Sequence, residues 1–114
     1  MIKVVYNARH GGFGISEEAA NWMAERGHAV AVRLCEYNNA DKGDVWYSHG
    51  FFARDRHDPL LVECVEALGS AASDDCATLK IYTLKHGNRY MIDEYDGMES
   101  VMEPEDIKWR CVQQ

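Results

Sequence analysis

The dipeptide Asp96-Gly97 constrains the fold of this chain most strongly, because two runs of alternating polar and apolar residues flank it. These runs are RYMIDEY (89–95) and MESVM (98–102). Aspartate and glycine both accept the positive φ angles that the two central positions of a tight hairpin turn require. We therefore predict a two-residue β-hairpin with its turn directly between Tyr95 and Met98.

The same period of two continues on either side of this hairpin. LKIYTL (79–84) precedes it across the turn KHGN, and IKWRCV (107–112) follows Pro104. Pro104 interrupts the pattern, and we predict that residues 107–112 form a last edge strand. The C-terminal part of the chain is therefore predicted to form an antiparallel meander of three or four strands.

Two helices carry signals at both ends. Ser16 is the predicted N-cap of a first helix that runs to about Arg26 and stops at Gly27. The segment DPLLVECVEALG (58–69) has Asp as N-cap, Pro at the first helical position and Gly as the stop. Its apolar residues recur at the spacing i, i+3, i+4, i+7 of one buried stripe, so we predict a second amphipathic helix here.

Two segments beside the first helix read as strands. IKVVYN (2–7) is β-branched and aromatic, and HAVAVRLC (28–35) places Val30, Val32 and Leu34 on one face. Strand, helix and strand in this order predict a βαβ unit with a right-handed crossover. The predicted fold class is α+β: this βαβ unit, the second amphipathic helix, and the C-terminal antiparallel meander packed on the helices.

Residues 36–57 have no clear period, although they carry Trp46, Tyr47, Phe51 and Phe52. A structureless loop of this length is unusual in a small domain. We expect a partly ordered excursion whose aromatic residues pack on the core or on another subunit. The aromatics between residues 46 and 52 are the candidate interface of a symmetric homo-oligomer.

The composition predicts one compact domain over residues 1–114, since 46% of the residues are hydrophobic. No apolar run is long enough to span a bilayer, and the N-terminus lacks the features of a signal peptide, so we expect a cytoplasmic protein without a membrane partner. The cysteines contain no C-x-x-C pair, which argues against a zinc ribbon or a thioredoxin-like motif. We expect them to be small buried hydrophobes; they are Cys35, Cys64, Cys76 and Cys111.

Acidic residues dominate the charge of the chain. The formal net charge is −7, whereas a protein that tracks phosphate backbones presents a basic face, so nucleic acid is not an expected partner. Residues 93–106 contain seven acidic side chains and no basic one. This segment is either a solvated strand face and turn or a docking surface for a basic groove on another protein. Its candidate partner-binding residues are Asp93, Glu94, Asp96 and Glu99.

The segment RHGGFGISEE (9–18) places three glycines before the predicted helix start. Unpaired amides behind a glycine turn bind anions readily, and basic side chains lie beside them. The segment matches neither the G-x-G-x-x-G fingerprint nor the P-loop, and Glu17 and Glu18 would repel a phosphate. It is therefore either a structural turn or a ligand site. The candidate ligand-binding residues here are Arg9, His10, Gly11, Gly12, Gly14 and Ser16.

Arg54 and Arg56 belong to the same candidate ligand-binding set. Their guanidinium groups follow two phenylalanines and could pair with a phosphate while stacking on a base. The alternative is ion pairing with nearby acids or with the acidic segment 93–106. No cofactor, metal or catalytic residue is assigned, because the spacing of the available side chains matches no ligand motif. These side chains are His49, Asp55, His57 and Asp58.

Four segments together resemble a widespread set of small, mostly uncharacterised phage and prophage proteins. The segments are VVYNARHGGFGIS, DPLLVECVEALG, LKIYTL and YMIDEYDGMESVMEPEDIKW. That set has a glycine-rich loop between strand and helix, an Asp-Pro-capped helix and a terminal EYDG hairpin, and the resemblance weakens over residues 28–57. It implies a phage setting in the cytoplasm of a bacterial host. It implies no particular reaction, cofactor or catalytic residue.

Two classes of function fit these features. The favoured class is a non-enzymatic phage-type binding protein, a counter-defence inhibitor that sequesters a nucleotide signal or occupies a bacterial host protein. The alternative is a small enzyme acting on a nucleotide or phosphoester, with His10, His49 or His57 as acid-base or metal-binding groups. A sequestering protein returns its ligand intact, whereas an enzyme converts it.

Overall fold

The computed structural model describes residues 1–36, 51–108 and 110–112. Much of the predicted excursion at 36–57 lies outside the described residues, including Trp46, Tyr47 and His49. The class is α+β, as predicted. In chain order the elements are β1 (Lys3–Asn7), α1 (Glu17–Glu25), α2 (Ala29–Glu36), α3 (Pro59–Leu68), β2 (Leu79–Thr83), β3 (Met91–Tyr95) and β4 (Met98–Met102), with 3₁₀ turns at Gly69–Ala72 and Pro104–Asp106.

The predicted hairpin is confirmed in its register and its turn. Strands β3 and β4 are antiparallel, with Tyr95 opposite Met98. Asp96 and Gly97 both have positive φ, 52° and 85°. The turn dipeptide therefore determines the hairpin locally, since few other residue pairs accept this conformation without strain.

The helix boundaries of α1 and α3 also match the sequence signals. The Ser16 side chain accepts a hydrogen bond from the Ala19 amide, and the Asp58 side chain accepts one from the Leu61 amide. Pro59 occupies the first turn of α3 and Gly69 follows its last residue. Each side chain satisfies an amide that the first helical turn leaves without a partner.

The strand predicted over 28–35 is wrong, and the βαβ unit is therefore not formed. This segment is helix α2, which packs on α1 after a reversal at Gly27, where φ is 83°. Ala31 and Leu34, at helical spacing, are its buried residues. A short apolar run fits either period, and packing against α1 decides in favour of the helix.

The predicted meander is also corrected in its connections. Strand β2 pairs with β1 rather than with β3, and Val5 lies opposite Ile81 in this antiparallel ladder. The strand predicted over 107–112 is absent from the residues described there. Two separate two-stranded sheets result: β1 offers β2 the adjacent apolar residues Val4 and Val5, whereas β3 carries Asp93 and Glu94 at its centre.

The two sheets and the helices form three layers with two apolar cores. The larger core lies between the helices and one face of β1–β2, and it includes Val5, Met23 and Leu61. The smaller core lies between the other face of β1–β2 and the hairpin, and it joins Val4 to Val101. The neighbours Val4 and Val5 enter different cores because successive strand residues point to opposite faces.

Phe52 confirms part of the prediction for the aromatic excursion. Residues 51–54 are helical, and Phe52 is fully buried in the larger core. Phe51 is partly buried and meets Phe52 edge-to-face, with ring centroids 5.4 Å apart. The sequence correctly predicted that aromatic residues of this segment pack on the core.

The cysteines differ from the prediction of four buried thiols. Cys64 is buried on the apolar stripe of α3, where burial raises its pKa to about 11 against a smaller opposing effect of Arg26. Cys35 is partly buried, while Cys76 and Cys111 are exposed. Cys64 is therefore buried within the larger core, while Cys35 packs against it from α2. No helix among the described residues is long and apolar enough to cross a membrane.

Candidate functional site

The glycine loop and the hairpin turn meet backbone to backbone. A Cβ atom added at Gly97 would lie 2.4 Å from the Gly12 nitrogen and 2.6 Å from the Gly11 nitrogen. Gly11 and Gly12 have φ angles of 132° and 97°, which side chains rarely accept. The sequence prediction assigned the glycine loop to a ligand site and the hairpin turn to a separate partner site. In the structure, the loop and the turn are in direct contact.

Asn7 holds this junction together from the end of β1. Its fully buried side chain donates to the carbonyl oxygens of Arg9 and Gly97, at 2.7 and 2.8 Å. Its side-chain oxygen accepts from the Thr78 amide at 2.8 Å. This role of Asn7 was not predicted from the sequence, although a polar residue that ends an apolar strand just before a glycine loop was the available signal.

An open depression of about 510 Å³ lies at the junction. The Glu94 carboxylate accepts from the Gly97 amide at 2.6 Å, and His10 Nδ1 lies 3.1 Å from the Asp96 carbonyl oxygen. Two carboxylates at the mouth raise the energy of a bound phosphate. The lining residues are His10, Gly11, Gly12, Glu94, Asp96 and Gly97.

Three other members of the predicted ligand set have roles within the fold. A Cβ atom at Gly14 would lie 1.9 Å from the Asp74 Oδ2 atom, so close packing explains this glycine. Ser16 caps α1 and donates to the Ala71 carbonyl oxygen. Arg9 is exposed and donates to the Asp75 carbonyl oxygen at 3.1 Å.

Arg56 is a correction to the predicted ligand set. Its guanidinium is 6% exposed and forms a bidentate ion pair with Glu99, at 2.6 and 2.8 Å. It also donates to the Ala53 carbonyl oxygen and stacks over the Phe13 ring at 3.8 Å. The alternative interpretation, ion pairing with the acidic segment, is confirmed for this residue. Arg54, by contrast, is exposed.

Glu99 is the matching correction to the predicted partner-binding set. It lies in β4 two residues before Val101, on the face that turns toward β1. Its carboxylate accepts from the Asn7 amide at 2.9 Å as well as from Arg56. A buried carboxylate with these partners is unavailable to another protein.

Glu103 is a second buried acid in the segment that was expected to be solvated. Its side chain accepts from the amides of Lys85 and His86, at 3.0 and 2.8 Å, and from the Tyr82 hydroxyl at 2.9 Å. Burial alone would raise the pKa of Glu103, but these hydrogen bonds outweigh it, so the pKa lies below the ordinary value. The hydrogen bond from the Tyr82 hydroxyl to Glu103 is also the main reason that the pKa of Tyr82 is raised.

The outward face of the hairpin carries three of the large apolar side chains that are exposed among the described residues. We call it the outer hairpin face. Tyr95 is 80% exposed, Met91 51% and Met98 41%. The inner face, with Ile92 and Val101, covers the smaller core. By strand alternation, the outer hairpin face consists of Met91, Asp93, Tyr95, Met98, Ser100 and Met102.

Two side-chain pairs that involve a histidine were not predicted from the sequence. His28 Nε2 lies 3.1 Å from Asp58 Oδ2, and His57 Nδ1 lies 2.7 Å from the Tyr90 hydroxyl. Asp55 Oδ1 is 3.6 Å from the other nitrogen of His57. Because each pair joins residues that are about 30 positions apart in the chain, no local sequence motif predicts it. In the described ranges, no group of three acidic, histidine or cysteine side chains is arranged to hold a metal ion.

Comparison with known proteins gives no match: neither a protein-family model, nor a curated protein, nor a solved structure is similar to this chain.

Proposed function

We propose that this protein is a non-enzymatic binding protein that docks on a basic surface of another protein. One observation carries the proposal. The outer hairpin face and its turn combine three large exposed apolar side chains with the exposed carboxylates of Asp93 and Asp96, and the exposed carboxylate of Glu94 lies beside the turn, where it accepts from the Gly97 amide. Apolar anchors supply the contact energy of an interface, and a rim of one charge sign selects partners of the opposite sign.

The proposed partner is a bacterial host protein, in keeping with the phage setting that the sequence resemblance implies. A basic groove that normally holds nucleic acid is the matching surface, since acidic side chains compete there with phosphates. Occupying such a groove blocks the function of the host protein without any chemical step. The protein would in this way act as a counter-defence inhibitor.

Sequestration of a nucleotide signal has weaker support. Of its predicted ligand set, Arg56 is engaged by Glu99, while Gly14 and Ser16 serve packing and capping. The depression at the glycine loop carries Glu94 and Asp96 at its mouth. Both carboxylates oppose a nucleotide phosphate.

One specific arrangement favours the enzyme alternative: His57 contacts both the Tyr90 hydroxyl and the Asp55 carboxylate. A nucleophilic tyrosine needs a lowered pKa. Burial and the charge of Asp55 instead raise the pKa of Tyr90, and Arg56 opposes them only in part. The arrangement therefore supports a structural contact better than a reaction.

Charge neutralisation of the hairpin tests the proposed function. The triple variant Asp93→Asn, Glu94→Gln, Asp96→Asn keeps the side-chain shapes and the positive φ at residue 96. We expect its affinity for the partner to fall about tenfold or more, the sum of three modest rim interactions. The measurement is calorimetric titration of a host protein that co-purifies with the wild-type chain from a bacterial lysate.

The matched control is Glu25→Gln, Glu63→Gln, Asp75→Asn, which removes three exposed charges away from the hairpin. It should bind like the wild type. Equal affinity of both triple variants would contradict the proposal. Release of an intact nucleotide on denaturation of the purified chain, without any bound protein, would transfer support to sequestration.

A further inference from the structure

The hydrogen-bond pattern of the hairpin determines which backbone groups of β3 face outward. A two-residue turn makes Tyr95 and Met98 a hydrogen-bonded pair, and such pairs alternate along an antiparallel ladder. The residues of β3 that exchange hydrogen bonds with β4 are therefore Met91, Asp93 and Tyr95. The N–H and C=O groups of Ile92 and Glu94 point away from β4, toward the open edge of the strand.

This edge has no backbone partner within the part of the chain that the structure describes. Strand β3 pairs with β4 alone, and β1–β2 forms a separate sheet. The hairpin packs on that sheet through the inner-face residues Ile92 and Val101, and none of the described residues makes a backbone hydrogen bond to the edge beside them. An unpaired row of amides and carbonyls can accept a further strand.

The charges on β3 select the kind of strand that fits. Asp93 and Glu94 occupy the middle of the strand and are exposed. An antiparallel copy of β3 overlapping all five residues would place Asp93 opposite Asp93, and like charges in this position are destabilising. A basic side chain opposite Asp93 is favourable instead. The apolar residues on either side of it would meet Met91 and Tyr95.

We propose that the open edge of β3 takes up an extended basic segment of the partner protein by strand addition. This inference rests on the proposed function and specifies how the partner is held. Ile92 and Glu94 supply the backbone hydrogen bonds, Asp93 selects a basic residue, and Met91 and Tyr95 flank it with apolar contacts. The partner segment therefore has, at every second position, an apolar, a basic and an apolar residue, so that all three lie on the face that meets Met91, Asp93 and Tyr95.

Amide hydrogen exchange of the complete chain tests strand addition directly. The probe, called the valine-lysine peptide, is the short acetylated peptide Val-Thr-Lys-Thr-Val, which presents lysine between two valines on one face. We expect the peptide to slow exchange of the Ile92 and Glu94 amides about tenfold or more, with little change at Asp93 and Tyr95, whose amides already bond to β4. A peptide with the same side chains but methylated backbone nitrogens should lose this effect.

A charge exchange provides the second measurement. Asp93→Lys should reverse the preference, so that the variant binds a valine-glutamate peptide more tightly than the valine-lysine peptide. The control Glu63→Lys alters an exposed charge on α3 and should retain the wild-type preference. Retained preference for the lysine peptide in Asp93→Lys would overturn the selection by charge.

Other outcomes separate this inference from the proposed function. Equal binding of the methylated peptide, or no binding of the valine-lysine peptide, overturns strand addition. If the triple neutralisation still weakens binding of the host protein about tenfold or more, docking through the hairpin stands and only its mode is wrong. If that neutralisation has no effect on the host protein, the proposed function fails independently of the peptide result.

Discussion

At the scale of single residues, the most consequential group is the buried polar cluster of Asn7, Arg56 and Glu99. It joins β1, β4, the glycine loop and the segment before α3 through hydrogen bonds of 2.6 to 2.9 Å. A buried ion pair contributes little compared with apolar residues, yet removal of one partner leaves an uncompensated charge. The cluster therefore makes the fold sensitive to each of its members.

Glu99→Gln tests this dependence. The substitution keeps the shape of the side chain but removes the charge opposite buried Arg56, so we expect the free energy of unfolding to fall by about 3 kcal/mol. Urea denaturation measures the loss. The control Glu94→Gln changes an exposed acid and should remain within about 0.5 kcal/mol of the wild type. Similar stability of the two variants would contradict a structural role for the ion pair.

Glu103 gives the fold a defined pH dependence. Because its pKa is lower in the folded chain than the ordinary value of 4.5, its contribution to stability is fully present above pH 4.5. The contribution is lost as the pH falls through the lowered folded pKa. Urea denaturation at a series of acidic pH values should show this loss in the wild type and a flatter dependence in Glu103→Gln. Parallel pH profiles would disprove the assignment.

At the scale of elements, the N-termini of α2 and α3 are linked through one side-chain pair. His28 Nδ1 accepts from the Ala31 amide at 3.4 Å, and Nε2 donates to Asp58 Oδ2 at 3.1 Å. Asp58 Oδ1 accepts from the Leu61 amide at 3.0 Å. Each helix start is thus capped, and the two caps hold one another in place.

Variants at Asp58 separate its two roles, which are capping the N-terminus of α3 and binding the His28 side chain. Asp58→Ala removes the cap of α3 and the partner of His28, so we expect a loss of about 2 kcal/mol in thermal or urea denaturation. Asp58→Ser retains a short acceptor for the Leu61 amide but does not reach His28, and its loss should be smaller. If Asp58→Ser is as unstable as Asp58→Ala, the link to His28 rather than the cap of α3 holds these helices.

The elements that the sequence predicted correctly have their signals within a few residues. Ser16 and Asp58 mark helix starts, and Asp96-Gly97 marks a hairpin, because each requirement is local and chemical. HAVAVRLC carries no such signal, since its alternating valines fit a strand and its alanines fit a helix. Packing against α1 decides its structure, which explains why this prediction failed.

At the scale of the whole molecule, the three layers determine which polar residues become buried and which remain at the surface. The hairpin covers β1–β2 with one face, and this placement takes Glu99 inside and leaves Tyr95 outside. It also brings Gly97 against the glycine loop. The outer hairpin face and the open edge of β3 then adjoin one another, and they are the surface on which we propose that a partner docks.

The sequence by itself determined the α+β class, the capped helices α1 and α3, the hairpin register and the acidic character of the hairpin, since these depend on local conformation and composition. The tertiary structure alone decided that β1 pairs with β2, that Arg56 meets Glu99, and that the glycine loop joins the hairpin turn. These contacts join residues far apart in the chain, where no local pattern records the partner. The burial of a charge depends on the layer that covers it, and that layer exists only in the folded molecule.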